Sequence, residues 1–353
     1  VYDVALKLLV TTSSGTTADI TQLIPAITWS GDYQQCARTL QFEMLSSPTD
    51  NNIPVAACEL GSNVIFMQDN TTLFDGYIFA RQKATGSSRI NITCFDRGIY
   101  LKRNEAVYKF TNMTPEAITR RICSDFGIAA GDIAETGVKI SRNFVGVSLY
   151  KIIQTAYTLA AVATGKKYFA RFNGAKLCVI EKKINDQTLI LQGGSNLMSA
   201  SVTESIENMV NQVAIHNNND ALIGMQKNQE LIKLYGLLQN YIKQADGEDA
   251  TAKAKKMLED NSISQKITVE NLGNVANVTG GMVVVREPYT GLYGLFYIDS
   301  DTHTWKNSLY LNKLVINFKS IMDEQEAGSL ANANGSKTAG SSDTWSYIYK
   351  AGG

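Results

Sequence analysis

Residues 39–44 read Thr-Leu-Gln-Phe-Glu-Met, with every second side chain apolar. A period of two puts Leu40, Phe42 and Met44 on one face of an extended strand and Thr39, Gln41 and Glu43 on the other. Such a segment fits a sheet with one buried face and fits no helix. Leu314, Ile316 and Phe318 alternate in the same way near the far end of the chain. Further strand-like runs cover 5–10, 24–29, 64–68, 74–81 and 89–95, parted by Ser, Gly, Asn and Pro clusters. Residues 1–95 therefore predict a small barrel or sandwich.

From about residue 96 to 185 the pattern becomes mixed α/β. Thr114-Pro115-Glu116 predicts a helix start, with Thr as N-cap, Pro at the first helical position and an acid at the positive end of the dipole. Ile118, Ile122 and Phe126 make its apolar stripe, and Gly127 ends it. A second helix starts at Ser148 and runs through Ile152, Ile153, Ala156, Leu159, Ala160 and Ala163 to Gly165. Being apolar on most sides, it is the expected core helix of this segment. Residues 168–172 and 176–180 predict a hairpin whose type I′ turn uses Asn173-Gly174. Strand character returns over 186–218. Leu231, Leu234, Tyr235, Leu238, Tyr241 and Ile242 then follow helical spacing, Asp246-Gly247-Glu248-Asp249 breaks the run, and a second helix spans about 249–260. This predicts a helical pair within 227–262. Strands resume at 267–269, 282–285 and 295–299, and a last hairpin pairs 297–304 with 310–318 through Trp305-Lys306-Asn307-Ser308.

Composition narrows the function classes. The 33 Lys and Arg balance 33 Asp and Glu, so nothing marks a nucleic-acid coat or a polybasic membrane-surface protein. No run approaches 18 consecutive apolar residues, so no membrane-spanning helix is expected. Asp3 and Lys7 interrupt the apolar start, which reads as a strand and not as a signal peptide. Only 19% of residues are charged, with many Tyr, Asn, Thr and Ser. The strands should then carry outer faces that are polar but uncharged, as surfaces covered by other proteins are. Five cysteines stand at irregular spacing among apolar neighbours and read as buried free thiols made in a reducing cytoplasm.

The search for chemistry is mostly negative. The two histidines are His216 and His303, no GxSxG surrounds any serine, and Gly335-Ser336-Lys337-Thr338 is not a phosphate-binding loop. Asp299, Asp301 and His303 would lie on one face of a strand, as a metal or acid/base trio would. No further ligand is evident, and the competing reading is a hairpin limb whose polar side chains bond neighbouring backbone. No catalytic, cofactor-binding or metal residue is assigned. The stretch 327–353 is rich in Gly, Ser, Asn and Ala and reads as a flexible tail. Its Trp345, Tyr347 and Tyr349 make either a docking tip or a frayed end.

Several blocks resemble one known family in the same order. They are ITWSGDYQQCARTLQFEML (27–45), CFDRGIYLKRNEAVYKFTNMTPEAITRRICSDFGI (94–128), SVTESIENMVNQVAIHN (201–217) and GLYGLFYIDSDTHTWKNSLYLNKLVINF (291–318). Each is similar to the XkdQ/YqbQ-type baseplate hub proteins of contractile phage tails, relatives of late control D and type VI spike hub proteins. The resemblance covers about residues 1–326. It implies an α+β, mainly β chain with two tail-tube-like β-barrel domains, at 1–95 and 186–326, around an inserted α/β domain at 96–185. The second barrel would include the helical pair.

It also implies a non-enzymatic homotrimer without cofactors, which adapts the sixfold tail tube to the threefold central spike. The implied partners are the tube protein, the spike protein and other baseplate or tape-measure components, with no membrane and no sequence-specific nucleic acid. Its place would be the baseplate of a virion or a phage-tail-like particle such as a bacteriocin, assembled in the bacterial cytoplasm. On this reading Trp29, Gly31, Asp32 and Arg38 form one corner of the first barrel, and His303 and Trp305 the matching corner of the second. These ends should face partner rings, and Trp305→Ala should impair assembly more than folding. The alternative function is a tail-associated peptidoglycan-degrading or glycan-binding protein.

Overall fold

The computed structural model describes residues 5–47, 50, 52–53, 56–182, 188–244, 250–325 and 327–331. The contacts divide the chain into two compact units, Val1–Ser199 with Val269–Gly353, and Ala200–Thr268. The sequence boundaries at 95/96, 185/186 and 326/327 do not coincide with this division. Trp345, Tyr347 and Tyr349 lie outside the described residues, as do Asp246–Asp249.

The larger unit is built on a sheet that takes strands from both ends of the chain. Neighbouring strands along it are Leu309–Asn317, Leu292–Lys306, Ala26–Asp32, Thr39–Leu45, Arg89–Asp96, Thr71–Lys83, Asn63–Gln68, Leu6–Thr11 and Thr17–Asp19. Leu40, Phe42 and Met44 are buried as their alternation predicts, and they pack with Ile27, Trp29, Val64, Phe66, Phe74, Ile90 and Ile92. The chain is mainly β, as expected. The two expected barrels are not separate closed walls: among the described residues the pairing is an open path through both β regions.

Two turns exchange the chemistry that the sequence assigns them. In the hairpin of Tyr168–Asn173 and Lys176–Glu181, Asn173 pairs with Lys176, so the loop is Gly174-Ala175. Of the two, only Gly174 has positive φ (57°), the pattern of a type II′ turn with glycine first, not of type I′. The type I′ pattern occurs in the last hairpin. There Lys306 pairs with Leu309, and Asn307 and Ser308 take φ of 53° and 60°. Trp305 thus belongs to the strand and not to the turn.

In the middle segment both helices form where read, but Phe126, expected on the first helix's apolar stripe, is its C-cap residue and exposed. Thr114 accepts a bond from the Ala117 N–H ahead of helix Pro115–Asp125, and Ser148 accepts from the Lys151 N–H ahead of helix Leu149–Thr164. Gly165, at φ 72°, closes the second helix with its N–H on the Ala161 carbonyl. Ile118, Ile122, Ile152, Ile153, Ala156 and Tyr157 share one core. Strands Glu105–Met113 and Ile140–Ser148 pair beside them, and Ala129–Ile133 runs parallel to Lys176–Glu181. The chain after Asn317 packs back on this segment. Met322 enters its core, Tyr150 donates to Asp323, and Ser329 bridges to Asn143. Residues 327–331 are therefore not wholly a loose tail.

The smaller unit corrects the predicted helical pair. Its sheet is Leu222–Lys227, Gln212–His216 and Gln239–Lys243, with helix Ala250–Asp260 packing Ala250 and Ala254 on Val213, Ile215 and Ile242. The first helix is only Gln229–Tyr235 and buries no residue. Gly236, at φ 81°, stops it. Asn211 then holds the exit, accepting from the Leu238 N–H and donating to the Gly236 carbonyl. Tyr241 and Ile242 consequently lie on a strand.

Candidate functional site

Six of the residues singled out by sequence meet at one seam, where Ala26–Asp32 pairs antiparallel with Leu292–Lys306. Trp29 stands opposite His303, Ile27 opposite Trp305 and Gly31 opposite Asp301. The seam joins the two β regions into one sheet. Its core side holds a ring stack: Trp305 lies flat on Tyr310 at 4.3 Å, Phe66 meets the Trp305 edge at 4.9 Å, and Trp29 tilts over His303 at 4.7 Å. Trp305 also donates its Nε1–H to Gln68, 3.2 Å away.

The polar centre of the seam is Asp301. Arg38 stacks on the Trp29 ring at 3.8 Å and donates to both carboxylate oxygens of Asp301 in a two-pronged ion pair. Thr279 donates its N–H and its hydroxyl to the same carboxylate, each at 2.6 Å. Burial by itself would raise the Asp301 pKa. The Arg38 charge, the hydrogen bond from His303 and those from Arg38 outweigh it and hold the carboxyl well below the usual carboxylate range. A Cβ at Gly31 would meet the Arg38 guanidinium and push it from its place on Asp301.

His303 is completely buried and fully partnered. Its Nε2 faces the Asn277 carbonyl at 3.1 Å and Asp301 at 3.2 Å, while Nδ1 meets Tyr310 Oη at 2.7 Å and the Asn312 amide at 2.8 Å. Two acceptors at Nε2 and two donors at Nδ1 match the neutral tautomer with its proton on Nε2. Asn312 in turn accepts from Asn274 N–H and Asn277 Nδ2. Sequence reasoning missed this set of Asn residues. The Asn-rich loop at 271–277 was the available signal, but its partners lie about forty residues away or across the seam.

The expected roles of these residues change accordingly. Trp29, His303 and Trp305 are 5%, 0% and 5% exposed, so their side chains pack within this chain and do not form an outward-facing corner of it. Gly31, Asp32 and Arg38 are half-buried at the same place. The supposed metal trio does not converge either. A bulge between Ile298 and Ser300 shifts the register, and Asp299 turns to Lys182, 3.8 Å away. Burial pushes the Asp299 carboxyl up to about 6 against the pull of Lys182. Among the described residues no group of three or more His, Cys, Asp or Glu is arranged to hold a metal ion. The five cysteines are free and buried, as read from sequence. No helix among the described residues is long and apolar enough to cross a membrane.

The opposite face of the sheet is polar across the same seam. One row runs Thr304, Thr28, Gln41, Thr93, and the next Lys306, Ala26, Glu43, Asn91, Gln82. All of these but Thr304 line a wide concavity of about 640 Å³. Only Lys306, Glu43 and the neighbouring Arg89 are charged there, and Arg89 pairs with Glu43 at 2.6 Å. The sequence expectation of polar, weakly charged strand faces holds at this surface.

Comparison with known proteins covers most of this architecture. A family model described as YQBQ-like matches residues 27–317. The Phage-like element PBSX protein XkdQ of Bacillus subtilis (strain 168) is 23% identical over 309 residues, covering 85% of this chain and 94% of its own. Among solved structures, the 43 kDa tail protein of prophage MuSo2 from Shewanella oneidensis superposes with a TM-score of 0.68 at 13% identity, covering 89% of this chain and 97% of its own. A tail protein from Neisseria meningitidis MC58 gives 0.63 at 15% identity, with 92% and 100% covered.

Proposed function

The chain belongs to the YQBQ-like family, and on that premise we propose that it is a structural protein of a phage tail or phage-tail-like particle, acting as a baseplate hub. In this reading three copies form a ring. Each copy contributes two β regions, so a threefold object presents six wall segments to a sixfold tube, and its other side seats a threefold spike. Closed rings of this kind form through heterologous contacts between identical chains. The particle is the place of action, and the chain works by binding its neighbours and not by catalysis.

The observation that carries this reading is the seam. Two β regions from opposite ends of the chain share one sheet, with a continuous polar face running across their junction. Such a face stays hydrated or takes up a neighbour without desolvating many charges. The fold shared with tail proteins supports the same reading.

The test is the mass of the purified chain, alone and mixed with its tube and spike neighbours, by light scattering. The chain is 38.6 kDa. The reading expects a species of about three chain masses, at the latest when the spike protein is present. A chain that stays monomeric with every neighbour, or a hydrolase activity on peptidoglycan that depends on one carboxylate, contradicts it.

A further inference from the structure

A second cleft, of about 190 Å³, lies where the 168–181 hairpin faces the first β region. On strand Tyr168–Asn173 the side chains alternate. Tyr168, Ala170 and Phe172 enter the core beneath the helices, and Arg171 lines the cleft. Arg171 is half-buried, and among the described residues it makes no hydrogen bond and no ion pair. Arg38, whose two terminal nitrogens are already committed to Asp301, repels it. Two more donors at the cleft wall are buried without partners, the indole Nε1 of Trp29 and the Nε of Arg38.

No acid of the cleft wall forms a hydrogen bond or ion pair with Arg171, and the buried Asp301 carboxylate attracts it without touching it. Asp75 accepts from Asn63 at 2.9 Å and lies 3.8 Å from Arg97. Asp96 accepts from the Gly98 N–H, and Asp32 from the Gln34 N–H. Placing a guanidinium in such a cleft costs solvation, which the attraction of Asp301 offsets only in part. A ligand that supplies one pair of coplanar oxygens would satisfy the fork. The neighbouring Asp75 and Asp32 would repel a dianion more strongly than a monoanion, so a phosphate suits the cleft less well than a single negative charge.

We propose that this cleft is a carboxylate-binding site in which the Arg171 guanidinium receives a monoanionic carboxyl group through a two-pronged hydrogen bond. The assignment stands apart from the hub reading, since it uses only the cleft and its unmatched donors. The carboxyl group comes from an acidic side chain of a polypeptide or from a small free acid, and the experiment separates these sources.

Thermal unfolding of the full chain is followed at constant ionic strength with three probes at 20 mM: N-acetyl-glutamic acid α-amide, acetate and inorganic phosphate. The wild-type Tm should rise by about 2 °C with the capped glutamate. The rise should vanish in Arg171→Met, whose own Tm without ligand should be equal to or higher than that of the wild type. A larger rise with the capped glutamate than with acetate assigns the site to a peptide-borne acid, and equal rises assign it to a free acid. A rise that persists in Arg171→Met, a stronger rise with phosphate, or no rise with either carboxylate overturns the proposal. Circular dichroism at 20 °C checks that Arg171→Met is folded. Should it not fold, Arg171→Lys, which keeps the charge but loses the fork, must lose most of the capped-glutamate rise.

Discussion

The seam and the 200–268 unit hold themselves together in opposite ways. At the seam, Arg38 and Asp301 lie 263 positions apart in sequence, yet they form a buried two-pronged ion pair surrounded by stacked rings and a matched set of Asn, Thr and His partners. The smaller unit closes one face of a three-stranded sheet with Ala250 and Ala254 against Val213, Ile215 and Ile242. Its other face leaves Met225 and Tyr241 exposed beside a buried Ala214. Long-range closure of the first kind ties folding of both β regions into one event. A small local core of the second kind opens at lower cost. The lesson is that the junction closes through contacts distant in sequence and the insertion through a small local core.

That contrast can be broken most sharply at Asp301. Asp301→Ala leaves Arg38 buried without its anion and should destabilise the larger unit by about 3–5 kcal/mol. Urea unfolding would read this as a lowered midpoint, while amide exchange over 200–268 stays at the wild-type rate. Trp305→Ala should cost about 3–5 kcal/mol in the same assay, because it removes a ring packed on Phe66 and Tyr310. In the smaller unit, Ile242→Ala should cost about 2–4 kcal/mol, and the faster exchange should stay within 200–268.

A pH experiment sharpens the comparison further. Burial pushes the Asp96 carboxyl, beside the seam, up to about 7. A carboxyl raised in the folded state favours folding below its unfolded pKa, and that contribution is lost as pH rises through about 7. Asp96→Asn keeps an acceptor for the Gly98 N–H without the charge. It should therefore raise stability by a few kcal/mol at pH 8 and change it little at pH 4, measured as urea midpoints at both values. The smallest effect is expected at Tyr241→Ser, within about 0.5 kcal/mol, since its ring is largely exposed.

Much of this architecture is legible in local sequence. The alternation at Leu40, Phe42 and Met44 identifies a buried strand face, and the capped helices after Thr114 and Ser148 carry their own start and stop signals. The failures have physical causes. Leu238, Tyr241 and Ile242 match helical spacing by coincidence, and only the backbone at Gly236 and the bonds of Asn211 turn that segment into a strand. Trp29, His303 and Trp305 are expected at partner-facing corners because the family resemblance sets them in matching barrel hairpins. Their burial depends on pairing between residues 26–32 and 300–306, which no local pattern encodes. The bulge at residues 298–300, which separates Asp299 from Asp301 and His303, is invisible for the same reason.

Cysteine cross-linking across the seam measures the central claim directly. Thr28 and Thr304 face each other on the polar side of the sheet, where directly opposed residues have Cβ atoms about 4.5–5.5 Å apart. In Thr28→Cys/Thr304→Cys, mild oxidation should produce a disulfide within one chain, seen by peptide mass spectrometry as linked fragments in a species of single-chain mass. Linkage found only between chains, or none while the protein remains folded, would mean that the two β regions do not share one sheet.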